Sequence, residues 1–259
     1  MPTTRRSKSP AKKANPSPAR KVTKSTTEGA KKETRTTGDV FLYVPQLVGY
    51  SRVISTLLSM YYMTLSLTTG SHYILAINLY LFSFIGDLFD GMAARKFNQS
   101  SKFGGVLDMV TDRCTTAGML VVLTWIFNEP STKLLFLFLF FLDISSHWMQ
   151  MTSSLMLGSH HKSKEGNSKK FILVRLFYES YPFFGYCCVG AELTYVLLYV
   201  LNYMPSSPLT SYVEIALWYV CVPACVLKNF VNVAQLGSAS WVIAEEDVRA
   251  FNEEQKKKL

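Results

Sequence analysis

Six apolar runs limit this chain to very few architectures. They cover approximately residues 48–67, 72–90, 105–128, 133–156, 175–201 and 212–236. Each is close to the roughly 20 residues that carry a helix across a bilayer. Inside hydrocarbon every backbone polar group needs a partner within the protein, so runs of this length specify helices and not open sheet. A soluble body of this size could not hide all six in one core. The expected fold is therefore all-α and polytopic, with six transmembrane helices.

The N-terminal 38 residues are of another kind. They carry eleven Lys or Arg, two acids (Glu28 and Glu33) and no aromatic residue. Such a segment cannot bury enough apolar surface to offset the entropy of ordering it. It is expected to be a disordered basic tail, too long and too charged to be the n-region of a signal peptide. Attraction to anionic lipid headgroups explains its charge as well as nucleic acid would, and the apolar body makes a nucleic-acid role improbable. The organisation predicted is a tail over 1–38, a six-helix transmembrane domain over 39–245, and a cytosolic C-terminal tail over 246–259. Residues 40–47, Val-Phe-Leu-Tyr-Val-Pro-Gln-Leu, suit a short amphipathic helix in the headgroup region before the first span.

Loop charge gives an orientation. Arg95, Lys96 and Lys102 fall between spans two and three, and Lys162, Lys164, Lys169, Lys170 and Arg175 between spans four and five. The C-terminus adds Arg249 and Lys256 to Lys258, whereas the alternate loops hold only Lys133. By the positive-inside bias both termini lie in the cytosol. Asn98-Gln99-Ser100 matches a glycosylation acceptor but falls on the cytosolic side, so it is predicted to be unmodified; a glycan mapped to Asn98 would invert the topology. Lys256-Lys257-Lys258-Leu259 reads either as a solvated terminus or as a dilysine retrieval signal for the endoplasmic reticulum. The five cysteines lie within the predicted spans without the spacing of a zinc site or disulfide framework, and are expected to be packing residues.

Charge inside the spans is the functional signal, because charge in hydrocarbon is expensive. Asp87, Asp90, Asp108 and Asp112 pair as i, i+3 and i, i+4, each pair on one helix face. Four carboxylates gathered in this way make an oxygen cage for hard divalent cations. Arg52, Arg113, Asp143, His147, Tyr178, Glu179 and Lys228 fall in the same, cytosolic half. Glu192 and Glu214 are the exceptions. A transporter needs polar groups reaching both faces. One-sided polarity suits an enzyme that draws a lipid from the bilayer and a soluble partner from the cytosol. There is no internal repeat, glycine-rich phosphate loop or Ser/His/Asp constellation.

Asp87-x-x-Asp90-Gly91-x-x-Ala94-Arg95, eight residues, then Gly104-x-x-x-Asp108-x-x-x-Asp112 resembles the signature of the CDP-alcohol phosphotransferase family, at all eight defining positions. Pro45 to Arg52, Leu107 to Cys114, Leu142 to Trp148 and Gly190 to Leu193 resemble its eukaryotic, phosphatidylinositol-forming branch. The likeness covers roughly 39–245. It implies a reaction of CDP-diacylglycerol with myo-inositol to give phosphatidylinositol and CMP, two divalent ions (Mn2+ or Mg2+) and a homodimer; the C-terminal lysines point to the endoplasmic reticulum membrane. It implies that Asp87, Asp90, Asp108 and Asp112 hold metal, with Asp112 doubling as general base on the inositol hydroxyl. Gly91, Ala94, Arg95, Arg52 and Gln46 are the candidate CDP-diacylglycerol contacts. Many relatives have Asn where this chain has Gln46, which moves the amide by one methylene. Arg113, Asp143, His147, Tyr178 and Glu179 are the candidate inositol contacts; His147 could serve as a second general base but reads more readily as a hydrogen-bonded structural residue. Members using glycerol 3-phosphate, serine or choline share the motif, and a divalent-cation transporter is the rival of another class.

Overall fold

A computed structural model describes residues 35–158 and 172–258. The predicted disordered tail lies almost wholly outside the described residues, as do Lys162, Lys164, Lys169 and Lys170. The described chain is helical, without strands. In order its helices are α1 (Thr37–Phe41), α2 (Val44–Thr69), α3 (Tyr73–Lys96), α4 (Lys102–Ile126), α5 (Pro130–Gly158), α6 (Ile172–Glu179), α7 (Tyr181–Leu201), α8 (Pro208–Ala216) and α9 (Val222–Lys258). A π-helical turn, Leu217–Cys221, joins the last two.

Four described segments are long and apolar enough to cross a membrane: Tyr73–Lys96, Pro130–Met156, Tyr181–Leu201 and Pro208–Lys258. They mark a membrane protein. Helices α2 and α4 match them in length but carry Arg52 in one and Asp108, Asp112 and Arg113 in the other.

Three boundaries differ from the sequence expectation. Residues 40–47 are not one helix: α1 ends at Phe41 and α2 starts at Val44, with Pro45 in its first turn, where a missing N–H costs nothing. The predicted fifth span breaks at Ser180, so that α6 and α7 are separate. Pro182 sits in the first turn of α7; continuing the helix through it would remove a hydrogen bond and crowd the preceding turn. The last helix continues through the residues expected to be a C-terminal tail, as far as Lys258. A π-turn ends at Cys221, two residues before Pro223, whose ring cannot sit in a regular α-helical ladder.

The bundle is apolar at one end and polar at the other. Met63 of α2, Ala76 and Tyr80 of α3, Met119, Leu120 and Leu123 of α4, and Tyr195 and Tyr199 of α7 form one buried cluster. These residues lie late in α2 and α4 and early in α3. The middle of the bundle is held by hydroxyls: Thr56 Oγ1 is 2.8 Å from Ser83 Oγ and 2.9 Å from Thr115 Oγ1, joining α2, α3 and α4. Between apolar helices such contacts and small residues replace the hydrophobic effect as the source of association. Cys187, Cys221 and Cys225 are buried, as expected of packing residues, whereas Cys188 is half-buried and Cys114 exposed.

Helices α7 and α9 touch at Gly190, where a Cβ would lie 2.3 Å from the Ala224 Cβ. Neither group can rotate away, so the helices would have to part. Gly190→Ala is expected to destabilise the fold by about 1–3 kcal/mol, measured as a lowered thermal midpoint in detergent. Gly185→Ala, where a Cβ meets nothing within 4 Å, is the control and should be neutral.

Candidate active site

The four motif carboxylates meet because α3 and α4 bring their polar ends together beside α2. Residues 97–101 make this turn, with Asn98 in the left-handed region at φ 54°. Ser101 caps α4: its Oγ accepts from Gly104 N at 2.9 Å and from Gln46 Nε2 at 2.7 Å. Gln99 Oε1 accepts from Val44 N at 2.9 Å and so closes the start of α2. The loop between the two halves of the motif is thereby tied to α2.

Arg52 occupies the centre. Its Nη1 is 3.2 Å from Asp87, 2.5 Å from Asp90 and 2.8 Å from Asp108, and its Nη2 pairs with Asp112. Its Nε donates to Ser83 O at 3.1 Å. The side chain is 1 % exposed. Gly86 makes room for it, since a Cβ there would lie 2.8 Å from the Arg52 Cγ. One guanidinium shared by four carboxylates, with Arg113 3.6 Å from Asp112 as a second cation, leaves negative charge in excess at this point. Asp87, Asp90 and Asp108 each offer one oxygen, and these atoms lie within 4.8 Å of one another. Hard oxygens crowded around a point already occupied by a cationic nitrogen suit a divalent ion.

Two cavities flank the carboxylates. The smaller, about 230 Å³, is lined by Gln46, Gly49, Asp90, Gly91, Ala94, Gly104, Gly105 and Asp108 among others. Its walls are short side chains and backbone, which admits a bulky planar or phosphorylated group close to the helices. Arg95 is exposed beside it, with Nη1 3.6 Å from where a Gly91 Cβ would stand. The larger cavity, about 460 Å³, is lined by Arg52, Asp87, Asp108, Asp112, Arg113, Asp143, His147, Tyr178, Glu192, Lys228, Asn232 and Gln235 with several apolar side chains. Asp108 lines both.

The larger cavity is a hydrogen-bonded network. Arg113 Nη1 donates to both carboxylate oxygens of Asp143 at 2.9 Å, while its Nη2 is 3.6 Å from Asp112. Arg113 thus links the motif to α5. His147 Nδ1 lies 2.8 Å from the Asp143 carbonyl oxygen, so it carries the proton and leaves Nε2 as an acceptor. On α9, Asn232 Nδ2 donates to Asp143 Oδ1 at 3.3 Å and Asn232 Oδ1 accepts from Lys228. Gln235 Nε2 donates to the Tyr178 hydroxyl at 2.8 Å. Glu192 accepts from Tyr80 at 2.6 Å and from Thr116, which closes the cavity toward the apolar end.

Of the residues singled out from sequence, Glu179 stands apart: it is 57 % exposed and pairs with Arg175 at 3.7 Å, away from the residues lining the cavity. Asn232 and Gln235 were missed. Lys228, Asn232 and Gln235 follow at i, i+4 and i+7, one face of a helix, and this polar stripe in an apolar run was the signal available.

The profile of the CDP-alcohol phosphatidyltransferase family matches residues 42–244. The "Probable CDP-diacylglycerol--inositol 3-phosphatidyltransferase 2" of Arabidopsis thaliana is 39% identical over 84% of this chain and 96% of its own length. The human "CDP-diacylglycerol--inositol 3-phosphatidyltransferase" is 37% identical over 81% of this chain and 94% of its own. The Candida albicans protein of that name is 35% identical over 87% and 92%. No solved structure matches the chain.

Proposed function

The chain belongs to the CDP-alcohol phosphatidyltransferase family, and from that premise we propose that it transfers the phosphatidyl group of CDP-diacylglycerol to myo-inositol, giving phosphatidylinositol and CMP. The observation that carries this reading is the position of Asp108 between two cavities. A nucleotide on one side and a polyol on the other would meet at the carboxylates.

The smaller cavity takes the cytidine diphosphate end of the lipid. Gly91 and Ala94 let it approach α3, Gln46 presents an amide from α2, and Arg95 lies at the rim. Two divalent ions, Mn2+ or Mg2+, held by Asp87, Asp90, Asp108 and Asp112, would supply the positive charge that admits a pyrophosphate beside four carboxylates and that offsets the charge developing on CMP. Without the ions, Arg52 holds the same carboxylates together.

Inositol enters the larger cavity, beside Arg113, Asp143, His147 and Tyr178; Glu179 lies outside and is left out of this site. Arg113 connects Asp143 to Asp112, so the acceptor pocket and the reacting end share one network. An inositol oxygen forms a bond to the phosphatidyl phosphorus, the bond from that phosphorus to the bridging oxygen breaks, and CMP leaves. The hydroxyl proton passes to Asp112, because an alcohol is a poor nucleophile without a base. The apolar cluster filling the other end of the bundle supports an enzyme over an ion pathway.

The loop charges support six spans, with α2 and α4 joining the four apolar ones, and both termini and the site on the cytosolic side of the endoplasmic reticulum membrane. A homodimer is the assembly that the family resemblance implies.

The test is purified protein in lipid nanodiscs with Mn2+ or Mg2+, CDP-diacylglycerol and one alcohol at a time. CMP should appear with myo-inositol and not with glycerol 3-phosphate, serine or choline. Release with another alcohol would move the chain to another branch of the family. Absence of CMP with every alcohol, together with Mn2+ uptake into liposomes, would replace the enzyme with a transporter.

A further inference from the structure

Helix α9 turns three buried polar residues, Lys228, Asn232 and Gln235, toward the larger cavity. Polar groups on a membrane helix are costly unless they are satisfied. Two of the three meet that condition inside the protein. Lys228 donates to Asn232, and Asn232 donates onward to Asp143. Gln235 does so only in part. Its Nε2 is engaged by the Tyr178 hydroxyl, but its Oε1 is buried and has no protein partner. The residue is 1 % exposed. Among the described residues only one other buried side-chain atom, Gln46 Oε1, is in that position, and it lines the smaller cavity. A buried acceptor held in place and left unmatched is a vacancy for a donor.

We propose that Gln235 Oε1 accepts a hydrogen bond from a hydroxyl of the acceptor polyol and is a specificity-determining residue for the alcohol; this rests on the larger cavity being the acceptor site. The ligand must bring a donor, since an amide oxygen only accepts. The neighbouring cations are already engaged. Arg113 is bound to both oxygens of Asp143, and Lys228 is bound to Asn232. Among the described lining residues the arginines are thus committed to carboxylates, and Lys228, bonded to the neutral amide of Asn232, is the cation without a carboxylate partner; the orphaned Gln235 oxygen itself can be met only by a donor such as a polyol hydroxyl. Choline has no donor at its far end with which to meet Gln235. A site built to hydrogen-bond a hydroxyl rejects analogues lacking it, because its own buried group is then left unpaired.

The test is a chemical double-mutant cycle on the full-length protein in nanodiscs with Mn2+. CMP release is followed against myo-inositol and against each monodeoxy-inositol, for the wild type and for Gln235→Leu. In Gln235→Leu the KM for inositol should rise by about ten- to a hundredfold, with kcat and the KM for CDP-diacylglycerol little changed. One monodeoxy isomer should show the same rise with the wild type and no further rise with the variant. A purely structural role would raise KM for every isomer alike and would not produce that single non-additive pair. Thermal stabilisation by CDP-diacylglycerol reports whether the variant is folded; if Gln235→Leu is not, Gln235→Asn, which keeps the amide but withdraws it, replaces it in the same cycle. An unchanged inositol KM, or additive losses at every position, overturns the proposal. If the wild type releases no CMP with inositol at all, the assignment of the cavity itself fails instead.

Discussion

Asp112→Asn should lower the rate of CMP release by about a thousandfold while CDP-diacylglycerol still binds. Asparagine has nearly the shape of aspartate and can still face Arg52 and Arg113, the two cations that Asp112 contacts. What it cannot do is take the proton from an attacking hydroxyl. The position is suited to that role: Asp112 lines only the larger cavity, whereas Asp90 lines only the smaller one. Asp112 also stands outside the tightest group of three oxygens, which belongs to Asp87, Asp90 and Asp108. Asp87→Asn should therefore behave differently and weaken metal-dependent binding of CDP-diacylglycerol itself. The measurement is turnover at saturating inositol beside calorimetric titration of the nucleotide lipid. Complete loss of binding in both variants would refute the division between a base and a metal-holding residue.

Arg52→Gln should separate the metal-free protein from the metal-bound one. With divalent ions removed by chelation, Arg52 is the side chain that contacts all four motif carboxylates. Its replacement leaves four partly exposed carboxylates facing one another without their shared cation, which destabilises the cluster. The thermal midpoint of the chelated variant should fall well below that of the chelated wild type. Added Mn2+ or Mg2+ should restore most of the difference, because the ion supplies the missing charge. Nη1 lies within 3.2 Å of oxygens from Asp87, Asp90 and Asp108, the three carboxylates that would also hold an ion, so guanidinium and ion compete for them. The variant should therefore bind Mn2+ at least about tenfold more tightly. Weaker Mn2+ binding in Arg52→Gln would mean that the guanidinium shapes the cluster for the ion and does not compete with it.

Much of the site was readable from local pattern. The i, i+3 and i, i+4 spacing of the four aspartates requires only that their segments be helical, and long apolar runs in a bilayer have little alternative. The family resemblance implied that Gly91 and Ala94 meet the nucleotide lipid, and both line the smaller cavity. Breaks within helices were less readable. Pro182 and Pro223 are visible in the sequence, but whether a proline ends a helix, opens one or is absorbed by a π-turn depends on what its neighbours pack against. Glu179 looked as eligible as Tyr178, one residue away. On a helix adjacent residues point about 100° apart, and only Tyr178 lines the cavity.

The sequence by itself determined that this chain is helical, membrane-embedded and furnished with four carboxylates in two face-sharing pairs, because period and hydropathy act within one segment. Only the tertiary structure decided what those carboxylates surround. Arg52 lies 35 residues before Asp87 and 60 before Asp112, and it reaches all four acids only because Gly86 lets its stem pass between α2 and α3. Gln235 acquired an unmatched oxygen in the same way, through a partner, Tyr178, that lies 57 residues away in the chain. Such placements depend on how helices pack, and packing is a property of pairs of surfaces that no single segment encodes.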